Sequence, residues 1–225
     1  MLEALGDGIW TADAPLSLAG AQFGTRMTVV RLADGGVMLI SPIPIDDAAA
    51  TEIEAIGPVR AVVAPNAFHH FYFVAAAKRF PEAACFVAPG TEPKLKGDVP
   101  PLTVLGGETE PLWTETLQQV ALEGTPATNE IVFFHAASRT LIVTDLCFHF
   151  DPAPGGWTGI FLWLAGARGG LKVSRLMRSM MKDWVAVRAS IGKMLECDFD
   201  NLVVAHGSVV RGAAKEKFRV ATGDL

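Results

Sequence analysis

The sequence predicts an α+β domain in which two mixed β-sheets pack face to face and helices cover both outer surfaces, a four-layer αββα sandwich. Short β-rich apolar runs alternate with amphipathic helical stretches along the chain. The order strands, helix, strand, helix, strand in the first half is followed by strands, helix, strand, helix in the second. A chain of 225 residues, 50% of them hydrophobic, can bury the core that a single domain of this kind requires.

The first half begins with a β-hairpin predicted over residues 26–41, where MTVVRL and VMLIS flank the turn ADGG. A helix is predicted over residues 67–79, with Asn66 as its N-cap. The other elements predicted in this half are a helix over 48–56 capped by Asp46 or Asp47 and ended by Gly57-Pro58, strands over 60–64 and 85–88, and a loop over 89–111 with one strand at 102–105.

The second half contains a predicted antiparallel meander and one long amphipathic helix over residues 172–197, whose apolar residues recur at spacings of three and four. Residues 146–171 are rich in proline, glycine and aromatic residues, which indicates a lid or a surface excursion. The strands of the meander are predicted over 118–122, 131–135 and 140–144, and a last strand over 201–205 precedes a closing helix over 213–221.

Composition and charge exclude several classes of function. The formal net charge of −5 argues against a nucleic-acid partner, because phosphate binding needs a basic face. Three scattered cysteines and the absence of a signal-peptide pattern in MLEALGDGIW predict a cytoplasmic protein. The most hydrophobic stretch, residues 157–165, is too short to span a bilayer, so we expect it in the protein's own core rather than under a partner subunit or a lipid surface.

Three apolar runs end in side chains that can bind a metal or transfer a proton. The run AVVAP leads to Asn66, His69 and His70, the run TLIVT leads to Asp145, and the run NLVVA leads to His206. In α/β folds, functional sites gather where strands end and loops begin. We therefore expect these side chains to converge.

The order of these motifs resembles that of the metallo-β-lactamase-like superfamily. Its αββα sandwich holds metals at the edge between the two sheets. The segments LISP, AVVAPNAFHHF, LIVTD and VVAHG follow in the order of that superfamily, over nearly the whole chain. More closely, the chain resembles an uncharacterised, divergent branch in which a PN-x-x-HH segment replaces the usual metal motif. The resemblance implies a hydrolase-like protein with a degenerate metal site.

The chain departs from the superfamily at its main metal motif. The pattern H-x-H-x-D-H, laid on this chain, falls on Asn66, Phe68, His70 and Phe71, so its histidines are missing and a histidine stands in place of its aspartate. A further histidine of the family usually follows T-P-G, and the corresponding residues 125–128 contain none. The usual two-metal site cannot form from these residues.

The resemblance implies at most one metal ion, held by His70 or His69, by Asp145 and by His206, with Asn66 or water completing the shell. Three protein ligands are enough for a catalytic zinc, and iron and manganese suit the same set. In a helix that begins at Asn66, His70 lies on the same face as Asn66, so we favour His70 over His69 as ligand. The plain alternatives are that Asn66 caps a helix and that Asp145 caps a turn.

Other side chains able to carry chemistry have structural interpretations. Tyr72 is expected to be a half-buried anchor, His135 to be structural, and His149 to be a surface residue or a lid residue that enters the site. No nucleophile elbow, phosphate loop or dinucleotide fingerprint occurs. This leaves metal-assisted hydrolysis as the enzyme class to consider.

Two functions follow from these observations. In the first, His70, Asp145 and His206 hold one ion, and water attacks an ester, lactone or thioester carbonyl, with Asp145 also orienting that water. In the second, a catalytically silent protein keeps the pocket for a small apolar or anionic ligand, or forms a homo-oligomer through residues 146–171. The first needs one zinc, iron or manganese ion, and the second needs none.

Overall fold

Two β-sheets packed face to face form the centre of the protein in a computed structural model that describes residues 1–225. The strands are β1 Glu3–Gly6, β2 Ile9–Ala14, β3 Ser17–Leu18, β4 Ala21–Gln22, β5 Thr25–Arg31, β6 Val37–Ile40, β7 Val59–Ala64, β8 Ala84–Val87, β9 Leu102–Val104, β10 Leu117–Ala121, β11 Ile131–His135, β12 Thr140–Ile142, β13 Phe148–His149, β14 Leu171–Lys172, β15 Asn201–Val203 and β16 Val210–Arg211. The helices are α1 Asp47–Glu54, α2 Phe73–Arg79, α3 Gly156–Leu164, α4 Arg175–Met180, α5 Trp184–Glu196 and α6 Ala214–Thr222.

The first sheet has seven strands in the order β1-β2-β5-β6-β7-β8-β9, and the second has five in the order β10-β11-β12-β15-β16. Strands β6 to β9 are parallel to one another, as are β12 and β15 in the second sheet. The strand pairs β3-β4 and β13-β14 form separate ribbons. The predicted αββα sandwich with mixed sheets is confirmed.

Side-chain alternation along the strands produces three layers of core. On β6, Met38 and Ile40 face the other sheet, where they pack in a cluster with Phe133. Val37 and Leu39 on the same strand face outward, into the cluster that buries α1 and α2. A third cluster packs α4, α5 and α6 on the outer face of the second sheet. Burial on both faces explains why these strands read as continuous apolar runs.

Several predicted elements are confirmed within one or two residues. The hairpin of β5 and β6 pairs antiparallel, and β11 occupies the predicted residues 131–135. Asp46 is the N-cap of α1, since its carboxylate accepts the Ala49 N–H at 2.8 Å. The strand predicted within residues 89–111 is β9. The hydrophobic periodicity and the helix-capping residue were sufficient to predict these elements.

The helix predicted to begin at Asn66 is wrong in its first half, because α2 begins at Phe73. The Asn66 side-chain oxygen accepts the N–H groups of Phe68 and His69 at 2.8 and 2.9 Å. These are the hydrogen bonds of a cap, but here they close a turn that does not continue as a helix. The segment between β7 and α2 is therefore a loop.

The long helix predicted over residues 172–197 is wrong in its middle, because α4 ends at Met180 and α5 begins at Trp184. Between them, the N–H groups of Lys182 and Asp183 donate to the Gly124 carbonyl at 2.8 and 3.2 Å. Gly124 lies in the loop after β10, so a distant part of the chain causes this break. The hydrophobic periodicity within residues 172–197 does not indicate this break.

The apolar stretch over residues 157–165 was expected in the protein's own core, and that expectation is wrong. It forms α3, in which only Gly159 and Leu162 are buried. Trp157 and Trp163 are 52% and 61% exposed. None of the six helices combines the length and hydrophobicity needed to cross a bilayer.

The interruption between α4 and α5 leads to a test of stability. The Asp183 carboxylate accepts the N–H groups of Val185 and Ala186, both at 3.0 Å. Loss of this cap in Asp183→Ala is expected to lower the free energy of unfolding by about 1 kcal/mol. Urea denaturation followed by circular dichroism would measure the loss.

Glu82→Ala is the matched control, because Glu82 is an exposed acidic residue with no ion pair. It is expected to change the free energy of unfolding by less than about 0.5 kcal/mol. Equal effects of the two substitutions would contradict a capping role for Asp183.

Candidate metal centre

The ends of four central strands meet at one edge of the sandwich. Ser41 follows β6, Asn66 lies two residues after β7, Asp145 lies three residues after β12, and His206 lies three residues after β15. Because β6 is parallel to β7 and β12 is parallel to β15, their carboxyl ends point to the same edge. The expected convergence of these strand ends is therefore present in the fold.

His69, Asp145 and His206 form a compact cluster at this edge, and their potential ligand atoms all lie within 4.8 Å of one another. His69 Nε2 is 3.5 Å from Asp145 Oδ2, and His206 Nε2 is 3.5 Å from Asp145 Oδ1. The two imidazole side chains are only 7% and 5% exposed, whereas the carboxylate is 15% exposed. The three groups therefore line the bottom of a depression that is open on one side.

Hydrogen bonds to the other ring nitrogens orient both imidazoles. His206 Nδ1 lies 2.7 Å from the Gly24 carbonyl, which can only accept, so Nδ1 carries the proton in the neutral ring. His69 Nδ1 lies 2.6 Å from Ser41 Oγ. In the tautomer that donates to this hydroxyl, His69 also has its lone pair on Nε2, directed at the cluster. This is the support that metal-binding histidines commonly have.

Aromatic rings and a close backbone contact fix His206 further. Phe148 stacks on the imidazole at a centroid distance of 5.3 Å, and Phe23 approaches it edge-on at 5.2 Å. Gly207 has φ +92°, and a Cβ there would lie 2.0 Å from the His149 carbonyl oxygen. Only glycine fits after His206, which explains the H-G pair at this strand end.

Asn66 holds Asp145 in place and does not offer an oxygen to the cluster. Its Nδ2 donates to Asp145 Oδ2 and to Thr144 Oγ1, both at 2.8 Å. Its Oδ1 is occupied by the backbone N–H groups of Phe68 and His69. These donors and acceptors fix the orientation of the amide, so its oxygen points away from the cluster.

Glu130 was not singled out in the sequence, yet it lies directly beneath the site and is fully buried. Its carboxylate accepts the N–H groups of Thr144, Asp145 and Leu146 at 2.7, 2.9 and 2.9 Å. Burial and the negative charge of Asp145 raise the pKa of Glu130 to about 7, against the opposing effect of the hydrogen bonds. Glu130 thus shapes the turn that presents Asp145.

The two histidines change the charge state of Asp145. Burial alone would raise the pKa of its carboxyl group, but the positive charge that the neighbouring imidazoles of His69 and His206 carry when protonated outweighs burial. The pKa of Asp145 is held well below its ordinary range. The carboxylate is therefore ionised and suited to bind a cation.

The structure does not bring His70 to the cluster. The argument for His70 relied on a helix beginning at Asn66, and without that helix the two residues do not share a face. His70 instead stacks on Phe71 at a centroid distance of 4.8 Å, and burial lowers the pKa of its imidazole. His69, a variable position in the superfamily pattern, takes its place beside Asp145.

Three other candidate residues lie apart from the cluster or at its rim. His149 is buried, and its Nδ1 lies 2.8 Å from the Ser208 carbonyl oxygen, so it is neither a surface residue nor a lid residue. His135 is buried and hydrogen bonds to Ser138. Tyr72 lies on the wall of the depression.

A cavity of about 380 Å³ opens above the cluster, and most of its lining is apolar. The apolar lining includes Leu16, Leu18 and Phe23 from the first half of the chain and Leu176 and Met180 from α4 and its end. No lysine or arginine lines it. The cavity therefore suits an apolar group placed next to the cluster.

Comparison with known proteins supports the fold assignment. Residues 6–92, less than half of the chain, match a family described as a domain of unknown function, DUF4336. No curated protein matches the sequence. A metallo-β-lactamase from Pontibacter korlensis has 11% identity and a TM-score of 0.69, with 100% of this chain and 99% of that chain covered.

Two further solved structures are similar to this chain. A metallo-β-lactamase from Erythrobacter litoralis, with β-mercaptoethanol in its active site, has 15% identity and a TM-score of 0.69, with 100% of this chain and 96% of that chain covered. The metal-soaked Flv1 flavodiiron core from Synechocystis sp. PCC6803 has 13% identity and a TM-score of 0.67, with 99% and 60% covered. The chain therefore has the metallo-β-lactamase fold, at an identity that marks it as divergent.

The hydrogen bonds of Glu130 lead to a second test of stability. In Glu130→Gln one acceptor oxygen becomes an NH₂ group that faces backbone N–H donors. Above pH 7, where the Glu130 carboxylate is ionised, the free energy of unfolding is expected to fall by about 2–4 kcal/mol, because charged hydrogen bonds are lost and buried donors are left unpaired. Thermal and urea denaturation would measure the change.

Glu123→Gln is the control, since Glu123 is the exposed glutamate of the same region. It is expected to change stability by less than about 0.5 kcal/mol. A Glu130 variant as stable as this control would exclude the proposed role of the carboxylate.

Proposed function

We propose that this protein is a metal-dependent hydrolase whose single divalent ion is held by His69, Asp145 and His206. Its substrate would be an ester, lactone or thioester with an apolar group that fills the cavity above the site. The observation that carries the proposal is the cluster geometry: three ligand atoms of the right types within 4.8 Å, at the base of the cavity.

The distances in the cluster favour an ion over a set of direct hydrogen bonds. Each histidine Nε2 is 3.5 Å from a carboxylate oxygen, beyond the usual range for N–H···O hydrogen bonds. Ligands placed about 2.0–2.2 Å from a tetrahedral zinc ion are about 3.4 Å apart, close to these separations. These two separations therefore match the spacing of ligands around a metal ion.

The three ligands suit one ion, which would be zinc, iron or manganese. Two imidazoles and one carboxylate are a common set for each of these metals. A second ion would lack ligands, because Phe68 and Phe71 stand at histidine positions of the superfamily pattern and line the cavity instead. Asn66 is engaged with Asp145 and the backbone.

A divalent ion in this cluster would supply Lewis-acid activation of water and of a carbonyl group. The chain supplies the rest of the proposed mechanism. Asp145, ionised at neutral pH and fixed by the Asn66 amide, would orient the attacking water. The apolar walls would exclude other water and hold the acyl or alkyl group of the substrate near the site.

The lining of the cavity limits the class of substrate. A carboxylate or phosphate inside it would meet no lysine or arginine side chain, so burial of that charge would be costly. We infer that the part of the substrate inside the cavity is neutral and apolar. The same lining favours the alternative function, in which a catalytically silent protein binds an apolar ligand without a metal.

Metal content distinguishes the two functions. The purified chain without a tag is expected to hold about one equivalent of zinc, iron or manganese, and His69→Ala is expected to weaken metal binding more than about 100-fold, because one of three ligands is removed. Elemental analysis and calorimetric titration with Zn²⁺ would measure both. Hydrolysis of a p-nitrophenyl ester should be lost in parallel.

His70→Ala is the matched control, because His70 is the adjacent histidine and lies outside the cluster. It is expected to keep the metal and the esterase activity. Loss of metal in the His70 variant with retention in the His69 variant would contradict the proposed ligand set. Absence of metal after reconstitution would contradict the hydrolase and favour the ligand-binding alternative.

The contact between Ser41 and His69 leads to a graded prediction. Ser41 is buried, with φ +56°, a strained conformation for a residue other than glycine. Removal of its hydroxyl in Ser41→Ala is expected to lower Zn²⁺ affinity about 10- to 100-fold, because His69 loses its orienting partner. Competition with a chelating dye would measure the affinity.

Ser17→Ala is the control for this measurement, since Ser17 lines the same cavity, is exposed and makes no hydrogen bond to a histidine. Its Zn²⁺ affinity is expected to match that of the unmodified protein. Equal affinities for the Ser41 and Ser17 variants would exclude a role for the hydroxyl in metal binding.

A further inference from the structure

Helix α3 presents an apolar face to solvent. Trp157, Ile160, Trp163 and Leu164 are between 52% and 61% exposed. At 100° per residue, these four side chains occupy a continuous arc of about 120° on the helix. Exposure of two tryptophans and two aliphatic residues on one short helix is unusual for a surface that contacts only water.

The segment of the chain that contains this face is opposite in charge to the whole protein. Residues 152–182 contain five of the chain's 19 basic residues and none of its 24 acidic residues, although the net charge is −5. The basic residues are Arg168, Lys172, Arg175, Arg178 and Lys182. All but Arg178 are exposed, and Arg178 pairs with Asp224. This basic segment therefore suits an anionic surface as its partner.

Arg168 lies directly beside the apolar face. A cleft of about 390 Å³ is lined by Arg168 together with Ile160 and Trp163 and three glycines of the helix start. An arginine and an amphipathic tryptophan side by side are a common combination at the headgroup level of membranes. The cleft offers an anionic headgroup a cation next to the apolar face.

The face is continuous with the mouth of the cavity above the metal cluster. Trp157 Nε1 donates to the Ala19 carbonyl at 2.9 Å in the β3-β4 ribbon, and Phe161 stacks on Phe23 at 6.3 Å. Phe23 lines the cavity, as does Leu18, which is itself 58% exposed. Phe71 and Leu176 extend the exposed apolar rim.

We propose that α3 and the basic residues after it form an interfacial surface that docks on an anionic lipid bilayer. The apolar arc enters the boundary between headgroups and acyl chains, the exposed cations contact the headgroups, and the cavity opens toward the lipid. The combination of an apolar face, flanking cations and tryptophans is what interfacial binding requires. This inference does not depend on the metal.

Flotation of the full chain with vesicles tests the proposal. The protein is expected to float with phosphatidylcholine vesicles that contain phosphatidylserine. Binding is expected to be much weaker to vesicles of pure phosphatidylcholine, and much weaker to the anionic vesicles at high salt. Trp163→Ala is expected to weaken binding about tenfold through loss of apolar burial. Arg168→Glu is expected to weaken it more than about tenfold through charge reversal.

Two matched controls lie on α5. Trp184→Ala removes a tryptophan that is 37% exposed, and Lys193→Glu reverses an exposed charge with the same change in net charge. Both are expected to float like the unmodified protein. Equal losses in the Trp163 and Arg168 variants and in the two α5 variants would overturn the proposal, as would a failure of the unmodified protein to bind anionic vesicles.

A second copy of the chain is the rival occupant of this surface. Sedimentation velocity would reveal it as a dimer that Trp163→Ala dissociates, and that result would overturn lipid docking. Zn²⁺ titration of the same variants keeps the two proposals apart. The Trp163 and Arg168 variants are expected to bind the metal normally, so a failure of membrane binding and a failure of metal binding give different results.

Discussion

The buried carboxylate of Glu130 is the group on which the geometry of the site most depends. It accepts three successive backbone N–H groups from the turn that ends in Leu146, and it has no exposure to solvent. Those hydrogen bonds fix the backbone of Asp145, while the amide of Asn66 fixes its side chain. Because buried polar groups are costly when unpaired, this network leaves Asp145 a single arrangement.

The same network joins the two sheets at the site. Glu130 precedes β11 of the second sheet, and Asn66 follows β7 of the first. Backbone hydrogen bonds tie these segments together, since Ile131 N donates to the Pro65 carbonyl at 2.7 Å and Ala67 N donates to the Thr128 carbonyl at 2.9 Å. The ligand cluster thus draws its residues from both sheets, and its spacing depends on how the sheets pack.

Local patterns predicted the sandwich, the strand ends and the positions of Asp145 and His206, because an apolar run and its polar end are adjacent in sequence. The expectation that His70, rather than His69, lies at the cluster is wrong because the Asn66 hydrogen bonds close a turn rather than start a helix. Glu130 and the interruption before Asp183 depend on backbone groups elsewhere in the chain, at Thr144 to Leu146 and at Gly124. No local pattern records such contacts.

The stretch that forms α3 shows what hydrophobicity alone leaves undetermined. An apolar run of this length is compatible with a buried core helix and with an exposed helix that binds a surface. The charged residues around the run distinguish the two. Here the cavity has no cationic lining, whereas the surface beside its mouth is rich in exposed cations. An amphiphile satisfies both regions, with its apolar part in the cavity and an anionic headgroup outside. The separation of charge therefore relates the proposed ester, lactone or thioester substrate to the proposed lipid surface, although each proposal rests on its own residues.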